Sequence, residues 1–215
     1  MRKRELINIL QNLKGFRKYD LQKEQYLIDA VTAADILYIV GFENGELFER
    51  LVFDLGCGPG RLLLGATILG ITTGVGVDVD LDVLTTCREN AREIGVQGQI
   101  HLLLADINHL PLRIGKDISL QDRTVLMNPP FGKQARYADR QFLEAAFETA
   151  KNIYSVHLSH PKTRIFLGNF ADKRGFFVDA IYEFSMILEH TQSFHTRARK
   201  KIFVNLCHFV KKRES

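Results

Sequence analysis

The sequence is poor in cysteine and lacks a long apolar run, and each absence excludes a class of protein. Only three cysteines occur among 215 residues, widely spaced and without a C-x-x-C pair, so neither a disulfide framework nor a zinc ribbon is expected. No run approaches the roughly 18 apolar residues that a membrane-spanning helix needs. The basic first residues lead into an amphipathic pattern rather than an apolar signal core, so secretion is not expected. We therefore predict a reduced, cytoplasmic protein.

The composition is that of a globular protein, with an excess of basic charge at both ends of the chain. Hydrophobic residues make up 46% and charged residues 25%, values that exclude a disordered or fibrous protein. The net charge is +4. Residues 195–213 carry seven Lys or Arg and no acid, and the first 24 residues carry seven against three acids. Such clusters fit either a contact surface for a phosphate backbone or a solvated basic face.

Helix-like and strand-like patterns alternate along most of the chain. Residues 3–14 and 30–40 have helical periodicity, and the second of these helices is expected to stop near Gly41. Short, almost wholly apolar strands then alternate with helices, which predicts a mostly parallel sheet covered on both faces. Two long strands at the end, 176–187 and 201–210, predict an antiparallel edge hairpin.

The long connector between these two strands, Glu189–Lys200, is of a length that is often functional. No repeat or low-complexity tract divides the chain. We expect one α/β domain over residues 1–215, with an N-terminal helical extension (1–45) before a Rossmann-like core (46–215).

Polar residues follow four consecutive predicted strands, at the end where open α/β sheets bind ligands. Their agreement is stronger evidence than any one motif. In chain order they are Asp54 with the glycine turn Gly56–Gly60, then Asp78, then Asp106 with Ile107, and finally Asn128–Phe131.

The glycine turn and its neighbouring acids point to one ligand. Gly56 and Gly58 let a ligand approach backbone N–H groups, whereas Asp54 would repel a pyrophosphate and attract an ammonium group. Asp78 lies 20 residues after Gly58, the spacing of a carboxylate that binds ribose hydroxyls, and Asp106 is placed to read an adenine amino group. A ligand with an ammonium, a ribose and an adenine is S-adenosylmethionine. A tight turn without a ligand is the alternative.

Asn128-Pro129-Pro130-Phe131 is a stiff segment, because each proline holds the residue before it in an extended conformation. Neither proline has an N–H group, so the Asn128 amide oxygen and the Pro129 carbonyl make a pair of acceptors suited to an exocyclic NH₂ group. Phe131 offers a face for a planar base. The alternative is a rigid turn with an apolar anchor.

These residues resemble two motifs of known methyltransferases. Asp54–Gly60 resembles motif I of class I S-adenosylmethionine-dependent methyltransferases, and Asn128–Phe131 resembles the N-P-P-[FY] motif of enzymes that methylate a planar nitrogen. With further matches they recur, in order, in the methyltransferase-like protein 5 family, whose members methylate adenine N6 in small-subunit ribosomal RNA. The further matches are Gly15-Phe16, Glu24-Gln25-Tyr26, residues 154–157, and residues 194–195 with 200–201.

The resemblance implies a class I methyltransferase fold, S-adenosylmethionine as cofactor, target-base contacts from Asn128–Phe131 and a small zinc-ribbon activator subunit. The chain departs from the family at Ile28, where a threonine is common, and at Pro59, where a cysteine or threonine is common. The Pro59 carbonyl could still contact the cofactor. The predicted cofactor-binding residues are Gln25, Asp54, Gly56, Gly58, Pro59, Asp78, Asp106 and Ile107.

The connector between the last two strands combines aromatic or planar faces with positive charge. An adenine must be unstacked to reach Asn128, and such a cluster suits a clamp on the flanking single strand. A solvated rim, with Phe194 packed on the fold, is the alternative. The predicted RNA-binding residues are Phe194, His195, Arg197, Arg199, Lys200 and Lys201.

The sequence therefore predicts an enzyme that methylates N6 of an adenine in structured RNA. Two rivals stay open. Enzymes that methylate glutamine side chains of protein release factors share the N-P-P motif, although they more often carry Tyr in its fourth position. A non-catalytic RNA-binding module would not need Asp54, Asp78 and Asn128. No metal site is expected, because the seven histidines form no ligand spacing.

Overall fold

In a computed structural model of the protein, residues 1–17, 26–111, 119, 122–131, 138–190 and 198–213 are described, with only the main chain at 138, 188–190 and 198–200. Seven strands form one sheet in the order β3-β2-β1-β4-β5-β7-β6. Strands β1 to β5 are parallel, and β7 and β6 are antiparallel at one edge. The strands are β1 (Leu51–Leu55), β2 (Thr73–Asp78), β3 (Ile100–Leu104), β4 (Arg123–Met127), β5 (Asn152–Leu158), β6 (Phe176–His190) and β7 (Ala198–Lys211).

Helices cover both faces of this sheet, which explains why β1 and β4 are almost wholly buried. The first four helices pack on one face through residues such as Leu10, Leu37, Leu63 and Ala91, and the last two pack on the other face. None of the described helices is long and apolar enough to cross a membrane. The helices are α1 (Lys3–Asn12), α2 (Ala30–Tyr38), α3 (Arg61–Leu69), α4 (Leu81–Glu93), α5 (Ala138–Thr149) and α6 (Pro161–Asp172).

The predicted fold class is confirmed: a mostly parallel Rossmann-like sheet, an antiparallel edge hairpin and helices ahead of the first strand. The chain leaves β1 towards β2 on one side, and β4 lies on the other side. This reversal of strand order creates a crevice at the carboxyl ends of β1 and β4, the usual place for a ligand in an open sheet. The division into an extension (1–45) and a core (46–215) stays a prediction.

The expected end of the second helix at Gly41 is wrong. After Tyr38 the chain continues as a π-helical turn, Ile39–Glu43, in which the Asn44 N–H group donates to the Ile39 carbonyl at 3.0 Å. Gly41 is buried in this turn, and a Cβ there would lie 3.2 Å from the Leu47 side chain. Glycine is therefore present for close packing, which overrides its tendency to end a helix.

The expected connector Glu189–Lys200 is also wrong in its bounds. Strands β6 and β7 pair as far as His190 opposite Ala198, so the connector is confined to residues 191–197, which lie outside the description. Only Val204–Val210 of β7 pairs with β5. Past Ser159, whose N–H donates to the Phe203 carbonyl at 3.0 Å, the two long strands pair, in their described main chain, only with each other, and the hairpin projects past the carboxyl edge of the parallel strands.

Candidate active site

The turn after β1 is held against β2 by its own main chain. Gly56, Gly58 and Gly60 have φ angles of 73°, 56° and 92°, a left-handed conformation that favours glycine. The N–H groups of Gly56 and Cys57 donate to the Val77 carbonyl at 2.8 and 3.0 Å. The turn is therefore fixed in place before any ligand binds.

Two phenylalanine rings pack against this turn, and neither was selected as a site residue from the sequence. A Cβ at Gly56 would lie 2.9 Å from the Phe142 ring, and one at Gly58 would lie 3.4 Å from the Phe16 ring. Phe142 lies on α5 and Phe16 follows α1, so residues far apart in sequence form the walls of the turn. Gly15-Phe16 formed part of the family resemblance, which was the one sequence signal for either ring.

A cavity of about 260 Å³ lies at the carboxyl ends of the strands. It brings together residues from the ends of β1, β2, β3 and β4, as the sequence predicts for a parallel sheet. Phe16, Tyr26 and Phe142 complete its walls. The predicted residues that line it are Gly56, Gly58, Asp78, Asp106, Ile107, Asn128 and Pro130.

Asp78 ties the glycine turn to the end of β2. Its Oδ2 accepts from the Gly58 N–H at 2.9 Å and its Oδ1 from the Asp80 N–H at 3.0 Å. Burial raises the pKa of Asp78, an effect that these two hydrogen bonds oppose. Asp106 at the next strand end is exposed, and its hydrogen bonds from Asn108 lower its pKa. The cavity thus has one partly buried and one exposed carboxyl group.

Asp54 is the most deeply buried acid of the site, at 2% exposure. Its Oδ2 accepts from the Leu63 N–H at 3.1 Å and so caps the first turn of α3. Burial raises the pKa of Asp54 to about 7, against the lowering effect of the Leu63 hydrogen bond, and the nearby Asp78 raises it further. Asp54 lines a second, smaller cavity beside the first, together with Pro59 and Ile28.

The Pro59 carbonyl is engaged by a residue that sequence reasoning missed. Asn90 of α4, fully buried, donates through Nδ2 to the carbonyls of Pro59 and Lys14, each at 3.0 Å, and accepts from the Lys14 N–H at 2.9 Å. Asn90 therefore joins α4, the end of α1 and the glycine turn. A cofactor contact from Pro59 stays a prediction. Ile28 is buried in the core, where it packs through an apolar side chain.

The two polar atoms of the Asn128 side-chain amide differ in their hydrogen bonding in the part of the chain that the structure describes: Nδ2 has a partner and Oδ1 has none. Its Nδ2 donates to the main-chain carbonyl of Tyr26 at 3.1 Å. A carbonyl only accepts, so this contact fixes which way the amide faces. Its Oδ1 is buried, and within the described part of the chain it has no hydrogen-bond donor. A buried acceptor without a donor is costly, which makes it a mark of a functional site.

The rest of the motif surrounds this acceptor. Pro129 is buried and Pro130 lines the main cavity. The Phe131 ring packs on the core and stacks on the Tyr26 ring, with centroids 5.8 Å apart and planes inclined by 18°. Tyr26 thus contacts the motif through its carbonyl and through its ring.

The predicted RNA-binding cluster is described only in part. Phe194, His195 and Arg197 lie outside the described residues, as does Gln25 of the predicted cofactor site. Arg199 and Lys200 belong to β7, where only their main chain is described. The Lys201 side chain is exposed, with its ammonium group 5.8 Å from the Phe203 ring centroid.

His157 is a packing residue of the sheet. Its ring is 3% exposed and lies 2.8 Å from the Ser155 hydroxyl. Burial lowers the pKa of His157 to about 3, so the ring is neutral at physiological pH.

The fold and the site together define a class I methyltransferase. Residues 52–120 match the family model of a methyltransferase domain. The crystal structure of a candidate RNA methyltransferase from Pyrococcus horikoshii, 32% identical, superposes with a TM-score of 0.87 over 99% of both chains.

Named relatives narrow this class to one family. The rRNA N(6)-adenosine-methyltransferase METTL5 of Danio rerio is 32% identical, over 98% of this chain and 99% of its own. Its Drosophila melanogaster counterpart is 32% identical, over 96% of this chain and 95% of its own. The chain belongs to the METTL5 family of methyltransferases, which confirms the resemblance seen in the sequence.

Proposed function

We propose that this protein transfers a methyl group from S-adenosylmethionine to N6 of an adenine in structured RNA, and that this RNA is small-subunit ribosomal RNA. Two named relatives are ribosomal RNA adenosine-N6 methyltransferases and match over nearly their whole length. The observation in this chain that carries the proposal is the buried Asn128 Oδ1, which has no hydrogen-bond donor among the described residues. An exocyclic NH₂ group offers the hydrogen that this oxygen lacks.

The acceptors of the motif address the chemical difficulty of the reaction. Adenine N6 is a weak nucleophile because its lone pair is delocalised into the ring. Hydrogen bonds from its two N–H groups to Asn128 Oδ1 and to the Pro129 carbonyl favour a pyramidal nitrogen with a localised lone pair. An acceptor already held in position by Tyr26 needs no reorganisation as charge develops on nitrogen.

The residues of the two cavities fit S-adenosylmethionine. Gly56, Gly58, Asp78, Asp106 and Ile107 line the main cavity, and the absence of a side chain at position 56 lets the Phe142 ring pack beside them as a cavity wall. Asp54 adds a buried carboxyl group beside it. We propose that these residues, with Pro59 and Gln25, hold the cofactor. When bound, the cofactor supplies an activated methyl group carried on a positively charged sulfur.

Cofactor affinity should rise with pH because of Asp54. Its pKa is raised by burial to about 7, so the carboxyl group is protonated below that pH, and a positively charged ligand favours its ionised form. In the ligand-free protein, the contribution of Asp54 to the free energy of unfolding has the opposite pH dependence. This contribution is fully present below about pH 4 and is lost as the pH rises through about 7. Titration calorimetry should find affinity rising about tenfold between pH 6 and pH 8. In Asp54→Asn, which keeps an oxygen for the Leu63 N–H, this rise should disappear, and an unchanged profile would contradict the assignment.

The proposed reaction is tested by following the labelled methyl group. Unmodified small-subunit ribosomal RNA made by transcription, and a purified protein release factor, are each incubated with labelled cofactor and enzyme, with and without the proposed activator subunit. We expect label in the RNA alone, recovered as N6-methyladenosine by nucleoside mass spectrometry. Label in the release factor would establish the glutamine-methylating alternative. RNA binding without transfer to either substrate would establish the non-catalytic one.

The basic cluster near the hairpin tip should set the salt dependence of RNA binding. Replacing Arg199, Lys200 and Lys201 together by Ala should lower the slope of log K against log[salt] by about 2, since each lost phosphate contact on a single strand removes about 0.7. Cofactor affinity should not change. The matched control replaces Lys211, Lys212 and Arg213, which carry the same charge at the other end of β7. Equal slopes for the two variants would show that the hairpin tip does not hold RNA.

Two further expectations stay proposals. The family resemblance implies a small zinc-ribbon activator subunit, and we propose that this chain binds one. Copurification of such a subunit with the tagged chain from its own cells, and higher thermal stability of the pair than of the chain alone, would establish this partner. We also propose that the protein acts in the cytoplasm, where ribosomal RNA would be its substrate.

A further inference from the structure

The segment Tyr26–Asp29 crosses the ligand crevice and is tied to it at three points. Asn128 Nδ2 donates to the Tyr26 carbonyl at 3.1 Å, and Arg61 Nη1 donates to the Ile28 carbonyl at 2.6 Å. Asp29 Oδ2 accepts from the Ile187 N–H of the projecting hairpin at 3.1 Å. Partners just after β4, on α3 and on β6 therefore hold this segment, two of them through its main-chain carbonyls and the third through the Asp29 carboxylate.

The Tyr26 ring covers the face of Phe131 that a base would use. The two rings are nearly parallel, with centroids 5.8 Å apart. A planar base inserted between two rings needs about 7 Å, which is twice the optimal contact distance of about 3.5 Å between carbon atoms. The perpendicular spacing between the rings is at most their centroid separation of 5.8 Å, so the rings must move apart by at least about 1 Å before a base can enter.

Of the two rings, Tyr26 is the one expected to move. Both rings are partly buried and pack against the same core, but Phe131 follows two prolines, which stiffen its main chain. Tyr26 has no proline neighbour, and its ring lines the cavity. It can therefore rotate about its side-chain bonds while its carbonyl stays on Asn128. Movement of the ring and orientation of the Asn128 amide are thus independent.

We propose that Tyr26 is a base-binding residue that closes the adenine site and then forms its second wall. Without RNA its ring lies on Phe131, and an unstacked adenine displaces it and is held between the two rings. This inference rests on the proposed function, because it assumes that the ligand of Asn128 Oδ1 is an adenine. It predicts that the Tyr26 side chain contributes to the binding of RNA, by stacking on the adenine. The Tyr26 carbonyl has a separate role, which is to orient the Asn128 amide.

Kinetics with unmodified small-subunit ribosomal RNA tests this division. Tyr26→Leu keeps apolar bulk against the core and keeps the carbonyl, but it lacks an aromatic face. We expect it to raise KM for RNA about tenfold, in line with the energy of base–aromatic stacking, and to leave kcat close to that of the parent. Tyr26→Phe should keep the parent KM. A parent KM in Tyr26→Leu would overturn the inference, as would a loss confined to kcat.

Fluorescence provides a second measurement, because the chain contains no tryptophan. In Tyr26→Trp the introduced indole is the only tryptophan, so its emission reports its own stacking. An oligonucleotide with one adenine in a uridine run should change this emission, and the same oligonucleotide with an abasic site should not. Equal responses to both would overturn the inference. Failure of the parent to methylate any RNA would instead refute the proposed function, so the two failures are distinguishable.

Discussion

Replacement of Asn128 by alanine should lower kcat for methyl transfer to RNA by about 100- to 1,000-fold, the range found when one preorganised polar group is removed from a reacting centre. The variant loses Oδ1, the buried acceptor proposed to bind the adenine N6–H group, and with it the hydrogen bond to the Tyr26 carbonyl. Cofactor affinity, measured by calorimetry, should stay close to that of the parent, because the groups proposed to hold the cofactor lie on the other strand ends.

A second substitution separates the two halves of this amide. Asn128→Asp keeps an acceptor oxygen where Oδ1 lies but loses the donor to Tyr26, so its activity should fall between those of the parent and Asn128→Ala. A loss of cofactor affinity in Asn128→Ala as large as its loss of kcat would place Asn128 on the cofactor rather than on the base. Equal activity of the two variants would show that the acceptor is not what matters.

The sequence predicted the sheet well because its signals are local. A buried parallel strand is a short apolar run, and a polar residue directly after it is visible without knowledge of any partner. Parallel strands end at one edge, so Asp54, Asp78, Asp106 and Asn128 could be placed together from their positions alone. The same argument predicted the edge hairpin, since its two strands have no helix between them.

What the sequence could not provide are contacts between residues far apart in the chain. Tyr26 is hydrogen-bonded to Asn128, 102 residues away in the sequence, and Asn90 is hydrogen-bonded to Pro59, 31 residues away. No periodicity encodes such a pair, because each residue follows the local rules of its own element. The hairpin was predicted too short for a related reason. Residues 198–200 were assigned to the connector, but main-chain pairing with β6 extends the strand through them.

Substitution of Gly60 by alanine should destabilise the protein by about 2–5 kcal/mol, combining the strain of a left-handed non-glycine residue with that of an overpacked core. Gly60 has a φ of 92° where the glycine turn enters α3. A Cβ there would lie 2.4 Å from the sulfur of Cys87, which is fully buried, and 3.1 Å from Leu64. The turn would have to shift, so cofactor affinity should fall together with the unfolding midpoint in urea.

Substitution of Gly70, at the other end of the same helix, is a control that distinguishes the cost of backbone strain from the cost of steric overlap with neighbouring side chains. Its φ is 105°, and a Cβ there would meet nothing within 4 Å, so Gly70→Ala should cost only the backbone strain of about 1–2 kcal/mol. Introducing Gly60→Ala into a Cys87→Ala background removes the closest clash and should reduce its cost towards that of Gly70→Ala. If Gly60→Ala and Gly70→Ala cost the same in the parent, Cys87 does not constrain the turn. In that case the loss of cofactor affinity in Gly60→Ala would have to arise from backbone strain alone.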